Sequence, residues 1–223
     1  MGKIFKQLAR HWAVCLVIFA LLGVQAYCDL SLPDYTSNIV DVGIQQGGIQ
    51  STVPETVRDI TLQALELLMS EKDAALAEQL YSKPDENGVR TLAQDATAAM
   101  PELEKAFTTP DIVLYMAAAQ NAAAAQGTTD TVAPTWTDLD AVTAQFAAMA
   151  QTPGFSREAV QQRLATAMAT VDDTVSESMA SQAMLLVSLE YEAQGIAHQV
   201  QMDYLWQEGG RMLGLTLVMV AVA

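Results

Sequence analysis

Residues 12–28 read WAVCLVIFALLGVQAYC, and the run continues through Leu30 and Leu32. Gln25 is the only strongly polar member of residues 12–28. A bilayer-spanning helix needs ~20 mainly apolar residues, so residues 12–32 are long enough to form one. Lys3, Lys6 and Arg10 precede the run and Asp29 follows it. Basic flanks stay cytoplasmic, which places residues 1–11 inside and residue 29 outside. Trp12 and Tyr27 stand at the two ends, where interfacial aromatics belong. A cleaved signal peptide is the alternative, since Val24-Gln25-Ala26 has the small-x-small form of a cleavage site. Length and a second apolar segment favour the uncleaved helix.

The second segment is MLGLTLVMVAVA, Met212 to Ala223, only 12 residues. It reads as the beginning of another membrane helix, entered at Gly209-Gly210. Residues 209–223 are therefore expected to be the truncated start of transmembrane helix 2. The chain is expected to be the N-terminal piece of a larger membrane protein.

All 26 acidic residues lie between Asp29 and Glu208, with only seven of the 11 basic residues. Lys3, Lys6, Arg10 and Arg211 flank the apolar segments instead. An acidic middle argues against nucleic acid, because phosphate binding needs clustered Lys and Arg. It also argues against docking on an anionic lipid surface. Cys15 and Cys28, 13 residues apart on one helix, are too distant to bridge.

The middle reads as helical. Residues 29–52, with Pro33 and three glycines, read as irregular, with a turn at Gln45-Gln46-Gly47-Gly48. Val57, Ile60, Leu62, Leu65, Leu68 and Met69 follow helical spacing and predict an amphipathic helix from Pro54 to Met69. Ser70-Glu71-Lys72-Asp73 has the form of an N-cap box opening a helix to about Tyr81. Residues 83–88 read as a loop. Residues 92–126 are rich in alanine, and Pro101 and Pro110 are expected to divide them into short helices. After a loop at 127–134, Thr137-Asp138-Leu139-Asp140 can cap a helix to about Gln151, broken by Thr152-Pro153-Gly154. Ser156 can cap the next, running to about Met179. Residues 180–208 continue helically, with Gly195 a weak point. No stretch alternates apolar and polar residues for long. The expected fold class is all-α, with residues 33–208 forming an extracellular helical insertion.

Catalytic and ligand motifs are absent from the pattern. Gly43 to Gly48 offers glycines without the Lys-Ser or Lys-Thr of a P-loop. His11 and His198 lie far apart, with no zinc-type spacing. No G-x-S-x-G is present. Asp172-Asp173 and the pair Glu190 and Glu192 read as solvated helix faces, and Asp85-Glu86-Asn87-Gly88 falls short of a calcium loop. No catalytic, cofactor-binding or metal residue is assigned.

The N-terminal stretch resembles the start of an ABC exporter half-transporter of the multidrug ATP-binding/permease type. The resemblance is carried by Leu32-Pro33-Asp34-Tyr35-Thr36-Ser37-Asn38-Ile39-Val40-Asp41-Val42-Gly43-Ile44, similar to the family's I-[IV]-D-x-G-I signature beyond helix 1. Its signature positions are Pro33, Asp34, Ile39, Val40, Asp41, Gly43 and Ile44. Met1-Gly2-Lys3-Ile4-Phe5-Lys6 also looks like members from anaerobic Gram-positive bacteria. Some of these carry a long extracellular insertion between helices 1 and 2, and Gly47-Gly48-Ile49 with Val53-Pro54-Glu55 is similar to its start. The close resemblance covers residues 1–69. It implies a bacterial plasma-membrane protein partnered by the bilayer and a second half-transporter, as homo- or heterodimer. It implies ATP and Mg2+ for the parent protein only, in a nucleotide-binding domain that these residues do not contain. A membrane-anchored extracellular sensor or binding module is the competing expectation.

Overall fold

The computed structural model describes residues 12–128, 130, 132–152, 156–168 and 176–222. The fold is all-α, 77% helix and 4% strand. It divides into two units, Met1–Gly48 with Val200–Ala223, and Ile49–Gln199.

In the first unit, helix α1 (Trp12–Asn38) passes without a break into a π-helical segment, Ile39–Gln45. The expectation of irregular backbone from residue 29 is therefore corrected as far as Gln45. Pro33 lies inside the helix, although it removes one backbone donor. Side chains support the turns beyond it. Thr36 Oγ1 donates to the Leu32 carbonyl at 3.0 Å. Ser37 Oγ and Gln45 Nε2 both donate to the Asp41 carboxylate, at 2.7 and 3.2 Å. The 34 residues Trp12–Gln45 form one helix long and apolar enough to cross a membrane. At ~1.5 Å per residue they extend ~50 Å, well beyond a ~30 Å hydrocarbon layer. Another helix ends at Val222 and runs continuously through Gly209 and Gly210.

The second unit is a helical domain with a small β-ribbon. Strand β1 (Thr56–Arg58) pairs antiparallel with β2 (Val89–Thr91), Val57 opposite Arg90. This ribbon corrects the expected helix from Pro54. Helix α2 starts only at Asp59 and ends at Leu68, and Ile60 faces outward. Helical spacing alone cannot separate a short strand from the helix it leads into. Helix α3 (Glu71–Leu80) begins as expected: Ser70 Oγ accepts from the Asp73 amide at 3.1 Å.

Helix α4 (Met100–Gln126) is a single element. Pro101 sits in its first turn, where no donor is needed. Pro110 lies inside it without ending it, which corrects the expected division. Pro110 is buried, and apolar packing with strong alanine propensity outweighs one lost hydrogen bond. Gly127 closes the helix in the left-handed conformation, φ 65°. Helix α5 (Trp136–Ala150) is capped by Thr135 with Asp138, two residues earlier than the expected Thr137. Ser156 Oγ accepts from Ala159 and opens α6 (Arg157–Met168). Helix α7 (Ser176–Gln194) stops at Gly195, φ 73°, and α8 (Ala197–Val222) follows. Gly195 thus ends a helix rather than weakening one. His11, Pro153, Gly154, Asp172 and Asp173 lie outside the described residues.

The domain core brings together Leu62 and Leu65 of α2, Leu103, Phe107 and Leu114 of α4, Leu139 of α5 and Leu186 of α7. Tyr81 tilts against Phe107, ring centroids 6.1 Å apart, and its hydroxyl donates to the Pro54 carbonyl at 2.5 Å.

Candidate functional site

The signature positions fall on the far end of the first helix, and only one of them is buried. Gly43 lies under α8: a Cβ there would come within 2.6 Å of Leu205 Cδ2 and 3.3 Å of Tyr204 Cδ1. Its carbonyl accepts from Gln201 Nε2 at 3.0 Å. Gly48, φ +83°, approaches the Val200 carbonyl so closely that a Cβ would sit 3.0 Å from it. Two glycines therefore let the end of the first helix touch the first turns of α8. Asp41 acts locally, holding Ser37 and Gln45 around the π-turn. Pro33, Asp34, Val40 and Ile44 are exposed, and Ile39 is half-buried. The segment makes helix-to-helix contact through Gly43 and Gly48. Further along α8, Glu208 is buried and takes an ion pair from Arg211.

Sequence reading missed the strongest polar cluster of the domain. Glu190 of α7 is 1% exposed. Its carboxylate accepts from the Arg58 amide at 2.7 Å, Arg58 Nε at 3.1 Å and Nη2 at 3.1 Å, and Thr61 Oγ1 at 2.8 Å. Arg58 Nη1 also reaches Asp140 of α5 at 2.5 Å. Gln194 Nε2 donates to the Thr56 carbonyl at 3.1 Å, and Tyr191 hydroxyl accepts from the Glu55 amide at 2.9 Å. Residues 55–58 and 190–194 are thus laced together, forming a neck where the chain enters and leaves the domain. The expectation that Glu190 and Glu192 form a solvated face holds for Glu192 alone, which is exposed. Arg58 pulls Glu190 inward, since a buried carboxylate needs a paired donor.

Two further carboxyls carry raised pKa values. Asp111 of α4 is fully buried with neither oxygen hydrogen-bonded, and desolvation holds its carboxyl well above the usual range. Glu66 of α2 borders an open cleft of about 360 Å3 between α2, α5 and α6. Burial, then the charge of Glu78 and its hydrogen bond, push Glu66 up to about 7, against the opposing charges of Arg90 and Arg157. Among the described residues no group of three or more His, Cys, Asp or Glu could hold a metal ion. His198 is exposed, Cys28 is buried, and Cys15 is half-buried; both cysteines are free.

No protein-family model, curated protein or solved structure matches the chain.

Proposed function

We propose that the chain is the N-terminal part of the transmembrane domain of an ATP-driven ABC exporter. It contributes the first membrane helix and an extracellular helical loop domain to substrate efflux. The observation that carries this reading is the seat of Gly43. The one buried position of the signature is the one where a side chain would push α8 away. A glycine in that motif then has a physical purpose: it keeps two helices in contact beyond the lipid. The length of Trp12–Gln45 supports the same reading, because a helix of ~50 Å spans the bilayer and still protrudes. In this reading the bilayer and a second half-transporter are the partners. ATP and Mg2+ act in a nucleotide-binding domain elsewhere in the protein, and substrate moves as membrane helices rock.

The test is the reading frame beyond codon 223. Four more apolar helices followed by G-x-x-x-x-G-K-[ST] are expected. A frame running instead into a kinase or other signalling domain makes the chain a sensor and sinks the exporter reading. Topology gives an independent check. A reporter fused after Gly48 is expected to be active only outside the membrane. Activity only inside would overturn the proposed orientation.

A further inference from the structure

The cleft beside Glu66 has features that the export reading does not use. Its volume of about 360 Å3 lies at the lower end of small-ligand sites, ~300–1,000 Å3. Gln63, Glu66 and Leu67 of α2 line one part, two alanines of α5 and Gln151 just after it another, and Arg157 opens α6 at its border. Two polar groups are unmet. Glu66 Oε1 is buried without a donor, and a ligand N–H would restore the interaction lost on desolvation. Arg157 is half-buried and makes no ion pair among the described residues. A carboxyl oxygen without a donor and a cation without a close ion pair among the described residues, on different helices, complement a donor and an anion on one small molecule. Leu67 and the alanines offer an apolar lining for a short aliphatic group.

We propose that this cleft binds a free aliphatic α-amino acid, its ammonium donating to Glu66 and its carboxylate received by Arg157. Ammonium recognition needs the ionised form of Glu66. The groups acting on it are Glu78 of α3, Arg90 of β2 and Arg157 of α6, and together with burial they put its titration at about 7. Affinity therefore rises as pH rises through that value and levels off above it.

The experiment is isothermal titration of the full chain in detergent with L-leucine. Isoamylamine lacks the carboxylate and isocaproate lacks the amine, and each is titrated alongside. Saturable leucine binding is expected, with both half-ligands weaker by about tenfold or more. Glu66→Gln and Arg157→Gln are each expected to weaken leucine by a similar factor. The half-ligand comparison uses the unaltered chain, so it does not depend on any variant folding. Absence of saturable leucine binding up to ~10 mM overturns the proposal. Isoamylamine binding as tightly as leucine overturns the role of Arg157, and unchanged binding in both variants places the ligand elsewhere. None of these outcomes bears on the reading frame, so the inference and the export reading fail separately.

Discussion

At the scale of single residues, Asp111 and Glu190 show opposite solutions to a buried carboxyl. Asp111 has no hydrogen-bond partner among the described residues, and burial makes the folded state favour its protonated form. Its folded pKa lies above the unfolded value of ~3.9. The folded chain thus binds the proton more tightly, and stability from this group is full below that value. It is lost as pH rises toward the raised folded value. Asp111→Asn removes the titration. Urea midpoints of the variant are expected to fall less between pH ~4 and ~7 than those of the parent chain. Equal falls would show that Asp111 titrates in the fold as it does in the unfolded chain, with no raised value. Glu190 is bonded from several sides. Glu190→Ala leaves Arg58 half-buried without its main partner and is expected to cost about 3–5 kcal/mol in chemical denaturation. A loss below ~1 kcal/mol would make the cluster a surface pair in all but position. Neither residue was legible in the sequence. Asp111 follows Pro110, where the sequence predicts a break between short helices. Glu190 finds Arg58 across 132 residues, a separation that local pattern cannot bridge.

At the scale of elements, periodicity and capping located most helices, and tertiary contacts decided where they began or ended. Ser70 and Ser156 cap where their local chemistry predicts. Pro110 and Gly195 exchanged their expected roles, because burial carries a helix past the proline while an αL glycine stops one. The π-segment Ile39–Gln45 had no sequence signal, its residues reading as irregular, yet it sets Gly43 under α8. Gly43→Ala puts a methyl against the Leu205 side chain, an overpacking expected to cost ~1–3 kcal/mol. Leu205→Ala in the same chain is expected to recover most of that loss. Gly48→Ala is not expected to be recovered by trimming Tyr204. The new Cβ also meets the Val200 backbone, and its φ of +83° disfavours any side chain. Heat-denaturation midpoints of the four variants in detergent check the pattern. Failure of Leu205→Ala to restore Gly43→Ala would mean the contact is not the source of the loss.

At the scale of the molecule, the domain spanning Ile49–Gln199 has its own core and its own closed neck. Produced alone, residues 49–199 are expected to dissolve without detergent and unfold in one cooperative transition. Aggregation of the piece, or gradual melting by circular dichroism, would show that it needs the flanking helices. The all-α class and the apolar helix near the N-terminus were legible from composition and hydropathy. The neck was not, because it exists only once the two ends of the domain meet.

That neck changes the polymer physics of the chain. While residues 55–58 hold residues 190–194, the connection between Gly48 and Val200 outside that neck is only roughly a dozen residues long. Melting the domain turns the same connection into a random coil more than tenfold longer. Loop-closure entropy then opposes the meeting of Gly43 with Leu205 by about 2 kcal/mol more. Folding of the domain and pairing of the two helix ends are in this way thermodynamically linked, through effective concentration alone.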